Sequence, residues 1–249
     1  MEPLQQSTVG NLLLRYCEPD DFELLRPHLT RRTLPTHTVV VRPNEPIEHL
    51  YFPEGGVISI VAEQEDGEKI EVGLVGHEGV SGSAVLLDAG QSPQMCMVQI
   101  NGAPALEIPA DRLVEAFETS ASLRKLLLRF VQALNVQAAS TAAANAHLAL
   151  PERLARWLLM CHDRVDGDQL ELTHEFMSMM LAVRRSSVTM TLHTLEGTRA
   201  IRGTRGFVTV LDRGRLEEIA GCSYGEAEDE YRRLVGPFGK GKHGLKSVA

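Results

Sequence analysis

The chain has 249 residues, of which 43% are hydrophobic and 23% are charged, and its formal net charge is −8. This composition is typical of a globular protein and excludes the disordered and fibrous classes. Its four cysteines contain no CxxC pair, which argues against a disulfide framework and against a zinc or iron–sulfur ligand set. They are Cys17, Cys96, Cys161 and Cys222. We expect a reducing, cytoplasmic setting.

The apolar runs of the chain are too short to cross a bilayer. The first ten residues, MEPLQQSTVG, lack the basic and apolar stretches of a signal peptide. The sequence therefore predicts no membrane partner.

Residues from Thr38 to about Ile108 have the signals of an all-β unit. Short β-branched or aromatic runs are separated by turn signals, and these runs are VVV, HLYF, GVISIVAE, KIEVGLV and CMVQI. Asp66-Gly67 predicts a hairpin between Val57–Glu63 and Lys69–Val75. Several short strands at this spacing are typical of a sandwich or barrel.

After Pro109 the chain becomes helical in character, because glycine is absent until about Val165 and Leu, Ala, Arg and Gln dominate. Breaks are predicted near Thr119-Ser120 and at Pro151. One row has the alternating spacing of four and three that defines a coiled-coil seam. It comprises Leu123, Leu127, Phe130, Leu134, Gln137, Thr141, Ala144 and Leu148. The row fits a helix that contacts a second copy of the chain, and it fits equally a helix that packs on its own barrel. Periodicity alone does not distinguish these two arrangements.

Residues 172–210 predict a helix-turn-helix followed by a hairpin. Thr173 is placed to cap a first helix, whose inward residues would be Phe176, Met177 and Met180. A turn at 181–183 leads to a second helix over about 184–196, with Val188, Leu192 and Leu195 as its buried stripe. The stretch AIRGTRGFVTV then predicts two short strands about Gly203 and Gly206.

The second helix and the hairpin tip have the chemistry of a DNA-binding surface. Between Leu172 and Val210 five arginines and two glutamates give a local charge of +3. Arginine can bind guanine or phosphate, hydroxyl groups can donate to phosphate, and methionine can contact a thymine methyl. The predicted DNA contacts are Thr173, Arg184, Arg185, Ser186, Ser187, Thr189, Met190, His193, Arg202, Thr204 and Arg205. The alternative is a surface helix with a solvated polar face.

The sequence resembles the Crp/Fnr family of bacterial transcription regulators from about Cys17 to Leu234. The resemblance is carried by HLYFPEGGVISIV and GHEGVSG, then by LPERLARWLLMCHDR, and finally by the stretch from LTHEFMSMM to LEEIAG. It implies an α+β chain with an N-terminal double-stranded β-roll (jelly-roll-like) at 1–118, a dimerisation helix at 119–148 and a winged helix-turn-helix at 149–235. Residues 236–249 are predicted to be a disordered tail.

The resemblance also implies partners. A homodimer would bind double-stranded DNA at a palindromic operator, with the seam residues Leu123, Leu127, Phe130, Leu134, Gln137 and Thr141 at the dimer contact. An activator would also meet RNA polymerase. The residues that match the operator-reading Glu and Arg of well-known members are Ser186 and Met190, so we expect a different operator. Ala182 stands where relatives have glycine in the turn.

The effector pocket implied by the resemblance comprises Gly79, Val80, Gly82, Ser83, Ala138 and Ala139. Members that bind cyclic nucleotides carry a glutamate after the first cassette glycine and an arginine about ten residues later. Here Val80 follows Gly79, and residues 79–100 contain no Arg or Lys. Because a buried phosphate needs a cationic partner, we expect no cyclic AMP binding and instead an uncharged effector or none.

Other cofactors and activities are also not expected. An iron–sulfur centre would need a cysteine cluster, and Cys17 stands alone; haem would need an axial ligand such as His77, a single loop histidine. No catalytic, metal-ligand or phosphate-loop spacing accompanies the acids and bases of the β unit, so we predict that the chain is not an enzyme. A second hypothesis is a β-roll sensor that acts on a protein partner without specific DNA binding.

Overall fold

The computed structural model describes residues 4–64, 67–100 and 103–241. The chain separates into two compact units. The first contains residues 1–60, 74–132 and 234–236, and the second contains residues 61–73, 133–233 and 237–249. The unit boundaries therefore do not coincide with the three sequence-predicted domains, because the far end of a hairpin and part of a helix belong to the second unit.

Seven strands, β1 to β7, form the two sheets of the predicted β-roll region. The strands are β1 (Thr30–Leu34), β2 (Val39–Val41), β3 (His49–Pro53), β4 (Val57–Glu63), β5 (Lys69–Val75), β6 (Met95–Ile100) and β7 (Ala103–Pro109). One sheet has the order β1-β7-β3, and the other has the order β2-β6-β4-β5. The pairing of β1 and β3 with β7 is antiparallel. The all-β prediction is confirmed, and β4 neighbours β5 as expected, although Asp66 of the predicted turn lies outside the described residues.

The sequence did not predict two strands of this β region, β1 and β7. Strand β1 (TRRTL) is exposed at every position except Leu34, so it has no apolar alternation. Strand β7 (APALEIP) contains two prolines, which normally argue against a central strand. Its pairing on both sides with β1 and β3 shows that tertiary context overrides this signal.

Three helices accompany the sheets of the first unit: α1 (Leu12–Tyr16), α2 (Pro19–Leu25) and α3 (Ala110–Thr119). The fully buried Asn11 caps α1, since its side-chain oxygen accepts hydrogen bonds from the amides of Leu13 and Leu14. Its amide nitrogen donates to the carbonyls of Pro53 at 2.9 Å and Gly79 at 2.8 Å. One side chain thus joins α1, the end of β3 and the GHEGVSG turn.

Helix α4 (Ala121–His147) corrects the predicted dimer seam. Leu123, Leu127 and Phe130 are each no more than 2% exposed within a single chain, and Gln137 is also buried, while Leu134 and Thr141 are half-buried. Assigning the first three and Gln137 to a partner was wrong, because the chain itself covers this face. The same spacing on the opposite face leaves a row accessible: Leu128, Gln132, Asn135, Ala139, Ala142 and Ala146.

The second unit contains the predicted helix-turn-helix and hairpin. Besides residues 133–147 of α4, its helices are α5 (Leu150–His162), α6 (His174–Met180), α7 (Arg185–Gly197), α8 (Arg213–Ala220) and α9 (Glu226–Leu234). Its strands are β8 (Gln169–Glu171), β9 (Ile201–Thr204) and β10 (Phe207–Val210), in the order β8-β10-β9. The first of these strands has three residues and was missed because it is too short to show alternation.

The far end of the β4–β5 hairpin is held within the second unit. The indole nitrogen of Trp157, on α5, donates to a carboxylate oxygen of Glu71, on β5, at 2.7 Å. Both residues are at most 5% exposed. A buried carboxylate is stabilised when a donor satisfies it, so this hydrogen bond fixes the hairpin on α5.

The segment after α9 corrects the predicted disordered tail. Phe238 is 4% exposed and packs against Tyr231 with ring centroids 5.1 Å apart, while the Arg164 guanidinium lies 5.0 Å from its centre. The amide of Lys240 donates to the Asp163 carboxylate at 2.8 Å. Residues 237–241 are therefore packed on the second unit, and residues 242–249 lie outside the described part of the chain.

Asp163 is the centre of a buried polar cluster. Its side chain has no exposed surface. It forms an ion pair with Arg213 at 2.8 Å and accepts a hydrogen bond from the Tyr224 hydroxyl. Arg213 also donates to His162 Nδ1 at 2.9 Å, while His162 Nε2 lies 2.9 Å from Asp168. Burial lowers the pKa of His162, which favours a neutral ring that accepts from Arg213 and donates to Asp168.

No helix of the described residues is long and apolar enough to cross a membrane. The same residues contain no group of three histidine, cysteine or acidic side chains placed to hold a metal ion.

Candidate DNA interface

The first helix of the motif begins as its sequence predicts. Thr173 has an extended backbone, and its hydroxyl accepts a hydrogen bond from the Phe176 amide at 3.1 Å. This cap satisfies one of the amides that a helix leaves without an internal partner. Thr173 Oγ1 is thus engaged in folding, whereas the sequence assigned Thr173 to DNA.

The two helices of the motif share a closed apolar core. It comprises Phe176, Met177, Met180, Val188, Leu192 and Leu195, each at most 7% exposed. This confirms both predicted inward faces. The apolar stripe on α7 leaves its opposite face free to carry polar groups.

The turn between the two helices is stabilised by a side chain from α5. Ala182 has φ of 50°, a left-handed conformation that costs an alanine on the order of 1 kcal/mol. Arg153, on α5, donates to the Leu181 carbonyl at 2.6 Å and to the Asn145 side chain at 3.0 Å. Arg153 therefore stabilises the turn in which Ala182 takes this left-handed conformation.

The outer face of α7 is accessible along its length. Arg184, Arg185, Ser186, Met190 and His193 are all exposed, and Met190 reaches 72%. Arg184 is the N-cap and provides no side-chain cap, so the positive end of the helix dipole and its free amides are open to an anion. Two further exposed positions on this face, Thr194 and Gly197, were not predicted.

The Thr189 hydroxyl is already occupied within the motif. It donates to the Arg185 carbonyl at 3.1 Å and lies 2.9 Å from His174 Nδ1, on α6. In this arrangement its single proton is directed to the Arg185 carbonyl and not to the solvent. In the free chain Thr189 therefore links α7 to α6, whereas the sequence assigned its hydroxyl to phosphate.

We expect Thr189→Val to lower the free energy of unfolding by about 1 kcal/mol, because it removes the hydroxyl that joins the helices. The salt dependence of DNA binding should be unchanged, since no phosphate contact is lost. Urea denaturation and fluorescence anisotropy measure the two quantities. The control is Thr119→Val on α3, outside the motif, whose hydroxyl donates to the Glu115 carbonyl of its own helix at 2.7 Å. A reduced salt slope in Thr189→Val would contradict this assignment.

Glu196 joins α7 to the β9–β10 hairpin, and the sequence did not predict this role. One carboxylate oxygen accepts from the Gly203 amide at 2.7 Å, and the other lies 3.1 Å from His193 Nδ1. A Cβ on Gly203 would be 3.1 Å from that carboxylate, so the strand approaches closely because residue 203 is glycine. Glu196 fixes the orientation of both the hairpin and the His193 ring.

The hairpin tip carries the remaining predicted contacts. Arg202, Thr204 and Arg205 are exposed, and Gly206 turns the chain with φ of 82°. Strand β9 packs on α7. The tip therefore places two guanidinium groups beside α7, where a wing would meet the phosphate backbone.

The predicted effector turn in the first unit is packed with protein side chains. A Cβ on Gly79 would lie 2.4 Å from the Phe130 ring, and Val80 is fully buried. The ionisable side chain buried next to this turn is Glu78, an acid at 2% exposure. Gly82, with φ of 73°, precedes a short 3-10 helix that begins at Ser83. The turn therefore lies next to a buried carboxylate, and residues 79–100 supply no Arg or Lys to bind an anion.

The other two predicted pocket residues are in the second unit. Ala138 and Ala139, on α4, are both exposed. Neither provides a polar group to a ligand.

Comparisons with known proteins agree with this architecture. Residues 31–120 match the model of the cyclic nucleotide-binding domain, and residues 152–219 match that of the Crp-like helix-turn-helix domain. The CRP-like protein Clp of Xanthomonas oryzae pv. oryzae is 25% identical over 195 residues, which cover 74% of this chain and 84% of Clp.

The chain belongs to the Crp/Fnr family. FixK2 and CLP are among the solved structures that share its fold. FixK2 from Bradyrhizobium japonicum has a TM-score of 0.65 at 16% identity, covering 78% of this chain and 98% of FixK2. The c-di-GMP-responsive regulator CLP from Xanthomonas campestris has a TM-score of 0.57 at 22% identity, covering 78% and 99%.

As a Crp/Fnr family member, the chain is a DNA-binding transcription regulator. Its α7 is the recognition helix and its β9–β10 hairpin is the wing of a Crp-like helix-turn-helix. The geometry brings the predicted α7 side chains to one accessible face, with the exceptions of Thr189 and the half-buried Ser187.

Proposed function

We propose that this Crp/Fnr regulator binds a palindromic operator as a homodimer, with α7 in the major groove and the wing on the phosphate backbone. The observation that carries the proposal is the exposed face of α7, which begins with two arginines at an uncapped N-terminus. Glu196 fixes this face to the basic wing. Phosphate contacts would then give affinity, while Ser186, Met190 and His193 would face the base edges.

Selection of binding sequences from random DNA by the full-length chain tests the proposal. We expect enrichment of one inverted repeat, whose half-sites are about 10 base pairs apart from centre to centre. Failure to enrich any sequence at low salt, with or without cell extract, would reject specific DNA binding. It would favour the hypothesis of a sensor that acts on a protein partner. RNA polymerase as a partner stays a prediction.

The proposed dimer contact is the accessible row on α4 that runs from Leu128 to Ala146. Leu128 is a 40% exposed leucine, and it lines a groove of about 410 Å³. The second half of the row consists of small alanines, which allow two helices to approach closely. Its spacing of four and three is that of a coiled-coil seam.

Leu128→Glu should convert the dimer into a monomer, because two-fold symmetry brings like charges close together at the contact. The monomer fold should persist, since the side chain is accessible within one chain. Light scattering after size exclusion measures the mass. Leu87→Glu serves as the control, because Leu87 is an exposed leucine outside α4. A dimer that survives Leu128→Glu, or a monomeric wild type, contradicts the proposed contact.

We further propose that cyclic AMP and cyclic GMP do not bind at the Gly79–Ser83 turn. A phosphate there would lie near the buried acid Glu78 and would find no cation among residues 79–100, which is costly in a protein interior. We expect no thermal shift with either nucleotide at up to millimolar concentration. A saturable shift at micromolar ligand would overturn this prediction, because a ligand that binds the folded state raises its stability.

A further inference from the structure

We propose that Met190 recognises the 5-methyl group of a pyrimidine in the major groove and thereby sets part of the operator preference. This inference rests on the proposed function, which places α7 in that groove. It goes further by naming the chemical group that one side chain selects.

Met190 is a large apolar side chain that is not part of the core. It is 72% exposed, while the buried stripe of the same helix, formed by Val188, Leu192 and Leu195, lies on the other side. It stands between Ser186 and His193 at helical spacings of four and three, so the three share one accessible face. An apolar group in this position is free to be buried by a ligand.

The chemistry of methionine restricts what it can recognise on DNA. Its thioether is only a weak acceptor and it has no donor, so it distinguishes base pairs poorly by hydrogen bonding. The major groove offers one apolar group, the C5 methyl of thymine. Removing one methyl from such a contact should weaken binding about threefold to fourfold.

The neighbours of Met190 are compatible with this contact. Ser186 is short and lets the helix approach the base edges, while Glu196 holds His193 Nδ1 at 3.1 Å and so keeps its ring in place. The three rotatable bonds of methionine let the thioether adapt to the methyl position. Since 5-methylcytosine carries the same methyl group, thymine and methylated cytosine are two possible sources of this chemistry.

The test uses the operator selected by the wild-type chain. Each thymine of a half-site is replaced in turn by deoxyuridine, which removes only the methyl group. We expect one thymine per half-site at which this change weakens wild-type binding about threefold to fourfold and Met190→Ala binding less than 1.5-fold. At that position a 5-methylcytosine–guanine pair should bind more tightly than a cytosine–guanine pair in the wild type only.

A control variant and a folding measurement accompany this test. Leu87→Ala removes a 58% exposed apolar side chain in the first unit and should keep the full response to deoxyuridine. Thermal melting should show that Met190→Ala folds as the wild type does, because Met190 is accessible. A half-site with no methyl-dependent thymine, or an equal loss in the wild type and Met190→Ala, overturns the inference while the proposed function stands. If no operator is selected, both fail.

Discussion

Replacing both Arg184 and Arg185 by alanine is expected to weaken specific DNA binding at least about 30-fold near physiological salt. Both side chains are exposed at the N-terminal end of α7, where the helix has no side-chain cap. Each arginine that contacts phosphate or guanine contributes about 1–3 kcal/mol. A homodimer loses four such side chains, so the slope of log affinity against log salt should fall by about 2 to 4.

A matched variant separates this effect from a general loss of positive charge. Arg215→Ala/Arg233→Ala removes the same charge from exposed positions on α8 and α9, where each arginine is paired with an acid of its own helix. It should weaken binding less than threefold. Equal losses in the two double variants, or an unchanged salt slope in Arg184→Ala/Arg185→Ala, would show that α7 does not meet the DNA.

Asp163→Ala is expected to lower the free energy of unfolding by about 3–5 kcal/mol, more than Thr189→Val does. It leaves Arg213, the Tyr224 hydroxyl and the Lys240 amide without their buried acceptor. Because the Lys240 contact is also lost, residues 239–241 should detach, while Phe238 keeps its packing on Tyr231. Urea denaturation measures the stability, and the rate of trypsin cleavage after Lys240 reports the detachment.

Glu218→Ala is the control for this prediction. Glu218 is a 71% exposed acid whose partner Arg215 lies 3.5 Å away, and pairs of this kind contribute less than about 1 kcal/mol. A comparable stability in Asp163→Ala and Glu218→Ala would contradict the role of Asp163. Cleavage after Lys240 at an unchanged rate would contradict the packing of the C-terminal segment.

The helix-turn-helix could be predicted from sequence because its signals are local. Thr173 caps the first helix, and Val188, Leu192 and Leu195 repeat with helical period. Gly203 and Gly206 mark the wing. These features depend on residues within one or two turns of each other, and the structure agrees with each of them.

The errors concern features that depend on distant parts of the chain. The periodicity of Leu123, Leu127 and Phe130 shows that a face is buried but not which chain covers it. Composition predicts a disordered tail over 236–249, whereas Phe238 contacts Arg164 and Lys240 contacts Asp163, more than 70 positions earlier. His174 and Thr189 are joined only because the turn brings α6 and α7 together.

Dimethyl sulfate footprinting of the selected operator tests the central claim most directly, since it modifies guanine N7 in the major groove and adenine N3 in the minor groove. We predict protection of guanines in two major-groove segments about one helical turn apart on one face of the duplex. This protection should be lost in Arg184→Ala/Arg185→Ala and kept in Arg215→Ala/Arg233→Ala. Protection confined to the minor groove, or to a single segment, would contradict the placement of two recognition helices on a palindrome.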